Sequence, residues 1–389
     1  MNGLFEYMRR QLDRTPDAFR RYLYPDIKWD NHMLGLVGPR GVGKTTLFLQ
    51  HIKACHNLDD TLYLSADHLY FSNHTLYDTA CAFSREGGRF LYIDEVHKYP
   101  EWSRELKMMY DSLPDMHVYF TGSSILDIEK GEADLSRRAP RYTLQGLSFR
   151  EYLAIRHGIE TPSLSLDDIL ANRTDIEGVE HPLPLFREYL KTGYYPFGTD
   201  LDFATELGQV ITRTLEVDIP QYAGMSSATG RKLKKLLVAV SEAAPFKPNM
   251  TSLGGKIQIS RNNVEEYLAY IEKAGLIAQL RDAGGGFATL GKTEKVYLDN
   301  TNILYALSDG EPDKGTVRET FFFNQMRVNH RPCSSPISDF QIGDVTFEVG
   351  GKGKGLDQLK GAERGIVVRD DVEYGRAAVV PLWAFGLNY

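Results

Sequence analysis

"MLGLVGPRGVGKTTLFLQHI", residues 33–52, runs from an apolar segment through a glycine-rich loop into a helical pattern. Met33 to Val37 reads as a buried strand, while Leu47, Phe48 and Ile52 fall on neighbouring helical turns. Strand, loop and helix in this order predict an α/β fold with a parallel sheet flanked by helices. The loop fits Gly-x-x-x-x-Gly-Lys-[Ser/Thr] with Gly38, Gly43, Lys44 and Thr45. Glycines let the backbone curl so that successive N–H groups and the helix N-terminus face phosphate oxygens. Residues Gly38, Pro39, Arg40, Gly41, Val42, Gly43, Lys44, Thr45 and Thr46 are therefore the candidate nucleotide cradle. In it Lys44 reaches the β and γ phosphates of ATP, and the Thr45 hydroxyl is a ligand for Mg²⁺.

Binding phosphate does not by itself imply hydrolysis, which needs a second strand ending in acids. "RFLYIDEVHKYPEW", residues 89–102, supplies one. Phe90 to Ile93 is a buried-strand run; Asp94 at its end is placed to hold the metal shell, and Glu95 to polarise a water for in-line attack. A third strand, "MHVYFTGSS", ends in Thr121, Ser123 and Ser124, hydroxyls suited to sensing the γ phosphate or to capping the strand. Downstream, "LSRRAPRY" brings Arg137, Arg138 and Arg141 close together, as arginine-finger candidates or as a solvated turn.

"GPRGVGKTTL", "LYIDEVHKYPEW", "YFTGSS" and "LSFREYL", in this order, resemble prokaryotic ATPases of the AAA+ class whose C-terminal region is a nuclease-like domain of unknown function. "LFREYLKTGYYPF", "KVYLDNTNILYAL" and "RETFFFNQM" extend the resemblance over nearly the whole chain. It implies Lys44 and Thr45 on phosphate and magnesium, Asp94 on magnesium, Glu95 as catalytic base and Thr121 or Ser123 as sensor. Where the family often has Gly-Arg after a leucine, this chain has Leu135-Ser136-Arg137-Arg138. Arg138 matches by position, and Arg137 stays open.

The expected organisation is an ATPase domain at 1–158, a connection and helical segment at 159–224, a winged-helix module at 225–290 and a small α+β nuclease-like domain at 291–389. In the third, Leu233, Leu236, Leu237 and Val240 share one helical face, and Ser260 caps a helix burying Val264, Leu268 and Ile271. Two strand-like runs around Gly284 to Gly286 complete it. Between residues 225 and 284, nine Lys and Arg face five acids, a local surplus in a chain of net charge -7. That surplus suits DNA phosphates, but Glu265, Glu266 and Glu272 lie on the helix that would read them. DNA, a protein partner and a second copy of the chain all remain open as partners.

Nucleases of the PD-(D/E)xK type need a Glu on a helix, an Asp on one strand, then Glu-x-Lys on the next. Glu319, Asp339 and Glu348 stand at the first three stations, in "RETFFFNQM" and "ISDFQIGDVTFEVGGKGKG". The second strand follows a turn at Gly343-Asp344. Gly350 sits where the lysine should be, and Lys352, two residues on, needs a bulge or turn at Gly350-Gly351 to bring its amine back. The expectations are a working nuclease, a nuclease fold kept for structure or partners, or a second phosphate loop. The last lacks a Ser or Thr after either lysine.

At 389 residues, 42% hydrophobic and 25% charged, the composition is that of an ordinary globular protein of several domains. The chain contains neither a signal-type apolar region nor a run of eighteen apolar residues, so a cytoplasmic location and no membrane association are expected. Cys55, Cys81 and Cys333 are odd in number and widely spaced, and are expected to be reduced and buried.

Overall fold

The structure, a computed structural model, describes the chain except for residues 123–134, 136, 199–200, 284–291 and 352, and except for the side chains of 222, 227 and 356. It contains two compact units, Met1–Gly146 and Leu147–Tyr389.

The first unit is built on five strands: β1 (Met33–Val37), β2 (Thr61–Ser65), β3 (Phe90–Asp94), β4 (His117–Thr121) and β5 (Arg141–Thr143). Their order is β2-β3-β4-β1-β5, and every pairing is parallel. β1 and β2 are buried at every position, because helices cover both faces of a parallel sheet and leave no polar side. The helices are α1 (Asn2–Arg14), α2 (Lys44–Cys55), α3 (Leu76–Arg85) and α4 (Trp102–Ser112). Leu4 of α1, Leu76 and Phe83 of α3, and Leu106 and Met109 of α4 pack with Met33, Leu64, Ile93 and Phe120 of the strands. The order matters for chemistry: β4 lies between the strand that feeds the glycine loop and the strand that ends in acids.

In the second unit, Ser148 caps the helix Phe149–His157 in a reciprocal box with Glu151. The start of the segment expected as a connection and helices at 159–224 includes a short helix, Leu166–Leu170, that buries Ile169. Further on come α5 (Ser227–Ala243), α6 (Met250–Ile257) and α7 (Arg261–Lys273), then the antiparallel hairpin β6 (Ile277–Arg281) and β7 (Thr293–Leu298). Leu233, Leu236, Val264, Leu268 and Ile271 are all buried, and Ser260 accepts from the Asn263 N–H as the cap of α7. α8 (Lys314–Met326) precedes a mixed sheet of β8 (Cys333–Ser334), β9 (Phe340–Ile342), β10 (Val345–Gly350), β11 (Arg364–Arg369) and β12 (Val379–Pro381). Its order is β12-β11-β10-β9-β8, with β10, β11 and β12 parallel and β8, β9 and β10 antiparallel. The turn read at Gly343-Asp344 joins β9 to β10, and Gly343 takes a positive φ there.

The cysteines correct one expectation. Cys55 is exposed and Cys81 and Cys333 are half-buried. Cys55 falls on the helical stripe of Phe48 and Ile52, but as the last residue of α2 it lies beyond the buried turns.

Candidate nucleotide site

The loop from Gly38 to Gly43 turns on three glycines with positive φ, Gly38, Gly41 and Gly43. Gly38 has a second reason to lack a side chain, since a Cβ there would lie 2.2 Å from the Leu144 carbonyl oxygen. The curl returns the chain to the N-terminus of α2. There the buried Lys44 ammonium donates to the carbonyls of Gly38 at 2.9 Å and Pro39 at 2.8 Å. Burial drives its pKa down to about 8, although the nearby carboxylates of Glu95 and Asp94 push the other way. Arg21, a residue sequence reasoning passed over, is buried and braces the loop from below, donating to the carbonyls of Val42, Gln145 and Gly146.

Asp94 is where the strands converge. The Thr45 hydroxyl donates to its Oδ2 at 2.7 Å, and the Tyr63 hydroxyl to the same oxygen at 2.9 Å. On its other oxygen the carboxylate accepts from Thr121, whose hydroxyl in turn accepts the Glu95 N–H at 3.1 Å. The sequence thus locates Lys44, Thr45, Asp94, Glu95 and Thr121, and the structure brings all five together. Ser123 and Ser124 lie outside the described residues. Tyr63 was missed because a tyrosine in a strand reads as core, and only the register of β2 on β3 sets it on the face of Asp94.

Glu95 occupies the left-handed region, φ 54, at the head of a short 3₁₀ turn, Val96–Lys98. That conformation is uncommon for a non-glycine residue and turns the side chain out of the strand line. Burial and the neighbouring Asp94 raise its carboxyl pKa, while Lys44 and Arg40 restrain the rise. A carboxylate with a raised pKa is a stronger base toward water. Of the two arginines, Arg138 donates to Asp111 of α4 at 3.1 Å, and Arg137 is exposed.

Thr45 and Asp94 offer two hard oxygen donors side by side, which fits Mg²⁺. That ion takes most of its remaining ligands from water and substrate phosphates rather than from a protein cage. No group of three or more His, Cys, Asp or Glu is arranged to hold a metal among the described residues.

Residues 30–153 match the family model described as "AAA domain". The chain carries a P-loop domain of the AAA type. Residues 183–314 match a domain of unknown function, DUF8612. A curated relative, uncharacterized protein MJ1637 of Methanocaldococcus jannaschii, is 26% identical over 325 residues, 78% of this chain and 67% of its own length. Among solved structures, the Walker-type ATPase PABY2304 of Pyrococcus abyssi is similar at 12% identity with a TM-score of 0.45, covering 78% of this chain and 95% of that one. Cdc6p from Pyrobaculum aerophilum is similar at 13% identity with a TM-score of 0.28, covering 78% and 92%. No helix among the described residues is long and apolar enough to cross a membrane.

Outside the AAA-type domain, the nuclease-like stations also converge, with other partners. Lys295 of β7 lies 3.0 Å from Glu319 and 3.5 Å from Asp339, and the Tyr297 hydroxyl donates to Glu319 at 2.7 Å. Asp339 also accepts the Val349 N–H at 3.0 Å. Glu348 accepts from the Ser338 hydroxyl at 2.5 Å and from the Lys354 ammonium. Lys352 lies outside the described residues, and the lysine seen on Glu348 is six positions along, returned by the turn after β10. Each of the three carboxylates is thus already held by a donor of the chain. Burial and the proximity of Glu319 raise the Asp339 pKa. A cavity of about 610 Å³ opens beside this network, lined by Lys247, Asp282, Glu294, Lys295, Ser338 and Asp339 among others.

Proposed function

We propose that the chain hydrolyses ATP with Mg²⁺, drawing on the cytoplasmic nucleotide pool, and uses nucleotide state to rearrange its C-terminal unit. The observation that carries the reading is the 2.7 Å bond from Thr45 to Asp94. It joins the helix after β1 to the end of β3, two strands that are not neighbours in the sheet. The glycine loop and the head of α2 cradle the phosphates, and Lys44 meets the β and γ oxygens. Thr45 and Asp94 hold the metal, which when bound neutralises charge on the phosphates. Glu95 orients the attacking water and takes its proton as the bond from the γ phosphorus to the bridging oxygen breaks, releasing ADP and phosphate. Arg138 is engaged with Asp111, so we assign the arginine-finger role to Arg137, acting on a neighbouring copy of the chain.

The experiment is phosphate release from ATP by the full chain and by Lys44→Met. Turnover present in the first and lost in the second is expected; equal turnover would end the proposal. A slow nucleotide-gated switch is the second reading. It is favoured by the same geometry if turnover survives Glu95→Gln. For the carboxylates at Glu319, Asp339 and Glu348 we propose a structural role, in which they fasten the β6–β7 hairpin and the loop after β10 to the mixed sheet. On this reading the three-helix module packs against its own chain rather than docking on DNA. Absence of Mg²⁺-dependent or Mn²⁺-dependent cleavage of plasmid DNA is the expected result, and cleavage abolished by Glu348→Ala would restore the nuclease reading.

A further inference from the structure

Tyr63 has a location that core packing alone does not explain. β2 pairs with β3 in a register that sets Ser65 beside Asp94 and Tyr63 beside Tyr92, so all four side chains leave the same face. From two positions back along its strand, Tyr63 reaches forward to place its hydroxyl 2.9 Å from Asp94 Oδ2. Its ring is buried, and the ring of Tyr7 on α1 stacks on it with centroids 6.0 Å apart and planes 13° from parallel. The phenol is therefore held from behind and aimed at the carboxylate.

We propose that Tyr63 is a positioning residue that fixes the Asp94 carboxylate for magnesium. The proposal rests on the ATPase reading above and adds to it a residue outside both the loop and the acidic pair. Three hydroxyls donate to Asp94, but two of them have other duties. Thr45 is a metal ligand in that reading, and Thr121 is bonded to the Glu95 backbone. Tyr63 has no duty at the loop, so its donation persists when Thr45 turns to the metal. Outer hydrogen bonds to metal-ligating carboxylates typically contribute about 10–100-fold in metal affinity or activity.

The test is Tyr63→Phe in the full chain, with ATP turnover titrated against Mg²⁺ and ADP binding measured both in EDTA and with Mg²⁺. A rise of about 10-fold or more in the Mg²⁺ concentration for half-maximal turnover is expected, with ADP affinity in EDTA unchanged. A purely structural role would weaken the response to Mg²⁺ and ADP binding in EDTA together, or neither. A half-saturation within about twofold of the parent overturns the proposal, while parent turnover that Lys44→Met does not reduce overturns the ATPase reading beneath it. If Tyr63→Phe fails to melt cooperatively, Tyr7→Leu decides. It keeps the Tyr63 hydroxyl but removes both the ring stacked on Tyr63 and the Tyr7 hydroxyl bonded to it, and the same direction of change at smaller amplitude is expected. No shift in that variant counts against Tyr63.

Discussion

Replacing Lys44 with methionine should remove activity and, near neutral pH, make the protein more stable. The buried ammonium has its pKa at about 8, against the usual 10.5 for lysine. The unfolded chain therefore holds that proton more tightly than the folded one. The charge destabilises the fold fully below about pH 8, progressively less between 8 and 10.5, and not at all above. At ~1.4 kcal/mol per pH unit the full penalty is about 3 kcal/mol. Methionine keeps the stem and removes the charge, but leaves the Gly38 and Pro39 carbonyls without their donor, a loss of about 1 kcal/mol each. The balance near pH 7 is a gain of about 1 kcal/mol, or a Tm rise of roughly 2–4 °C. Near pH 10 most of the charge penalty has gone while the carbonyl loss persists, so the variant should melt below the parent. Melting curves of both proteins at the two pH values, followed by near-ultraviolet circular dichroism, give the answer. A difference of the same sign at both would refute the reasoning, because it would mean that Lys44 is not a strained charge in the folded state.

The other substitutions probe different links. Glu95→Gln should lower ATP turnover by about 10²-fold or more while leaving ADP affinity within about twofold, as measured by phosphate release and calorimetry. Gly38→Ala forces a Cβ to within 2.2 Å of the Leu144 carbonyl at φ +149; loss of fluorescent-nucleotide binding together with a lowered melting temperature is expected. Lys295→Met leaves Glu319 and Asp339 facing each other without their cation. Because Lys295 is about one-third exposed, the expected loss is about 1–3 kcal/mol by urea unfolding. That loss should shrink toward acidic pH, where protonation of Asp339, whose pKa is raised, relieves the repulsion.

What the sequence disclosed follows from how far each feature extends along the chain. The loop from Gly38 to Thr45 and the pair Asp94-Glu95 are local, each defined by a few consecutive residues and a strand end, and both were legible. Thr121 was legible as a polar strand end. That it sits between the other two depends on strand order, which apolar runs of equal length do not encode. Tyr63 was hidden for the same reason, since only the register of β2 on β3 reveals that a core tyrosine is aimed at a carboxylate. In the C-terminal unit the helix-and-strand spacing picked out Glu319, Asp339 and Glu348. It did not find Lys295, which comes from a hairpin earlier in the chain, or Lys354, which arrives by a turn rather than by strand parity. Helix caps such as Ser260 were found because capping is decided within four residues.

The strand order also sets a timetable for synthesis. β1 pairs Met33 with Val118 on one side and Gly35 with Arg141 on the other. The glycine loop leaves the ribosome early, yet the strand that feeds it has no neighbour until more than eighty further residues have been made. Parallel pairings of this span are slow to close, and until they do the loop has neither Thr121 beside it nor the Leu144 carbonyl against Gly38. A nascent chain halted after β3 would carry both recognisable motifs and still lack the framework that makes them a site.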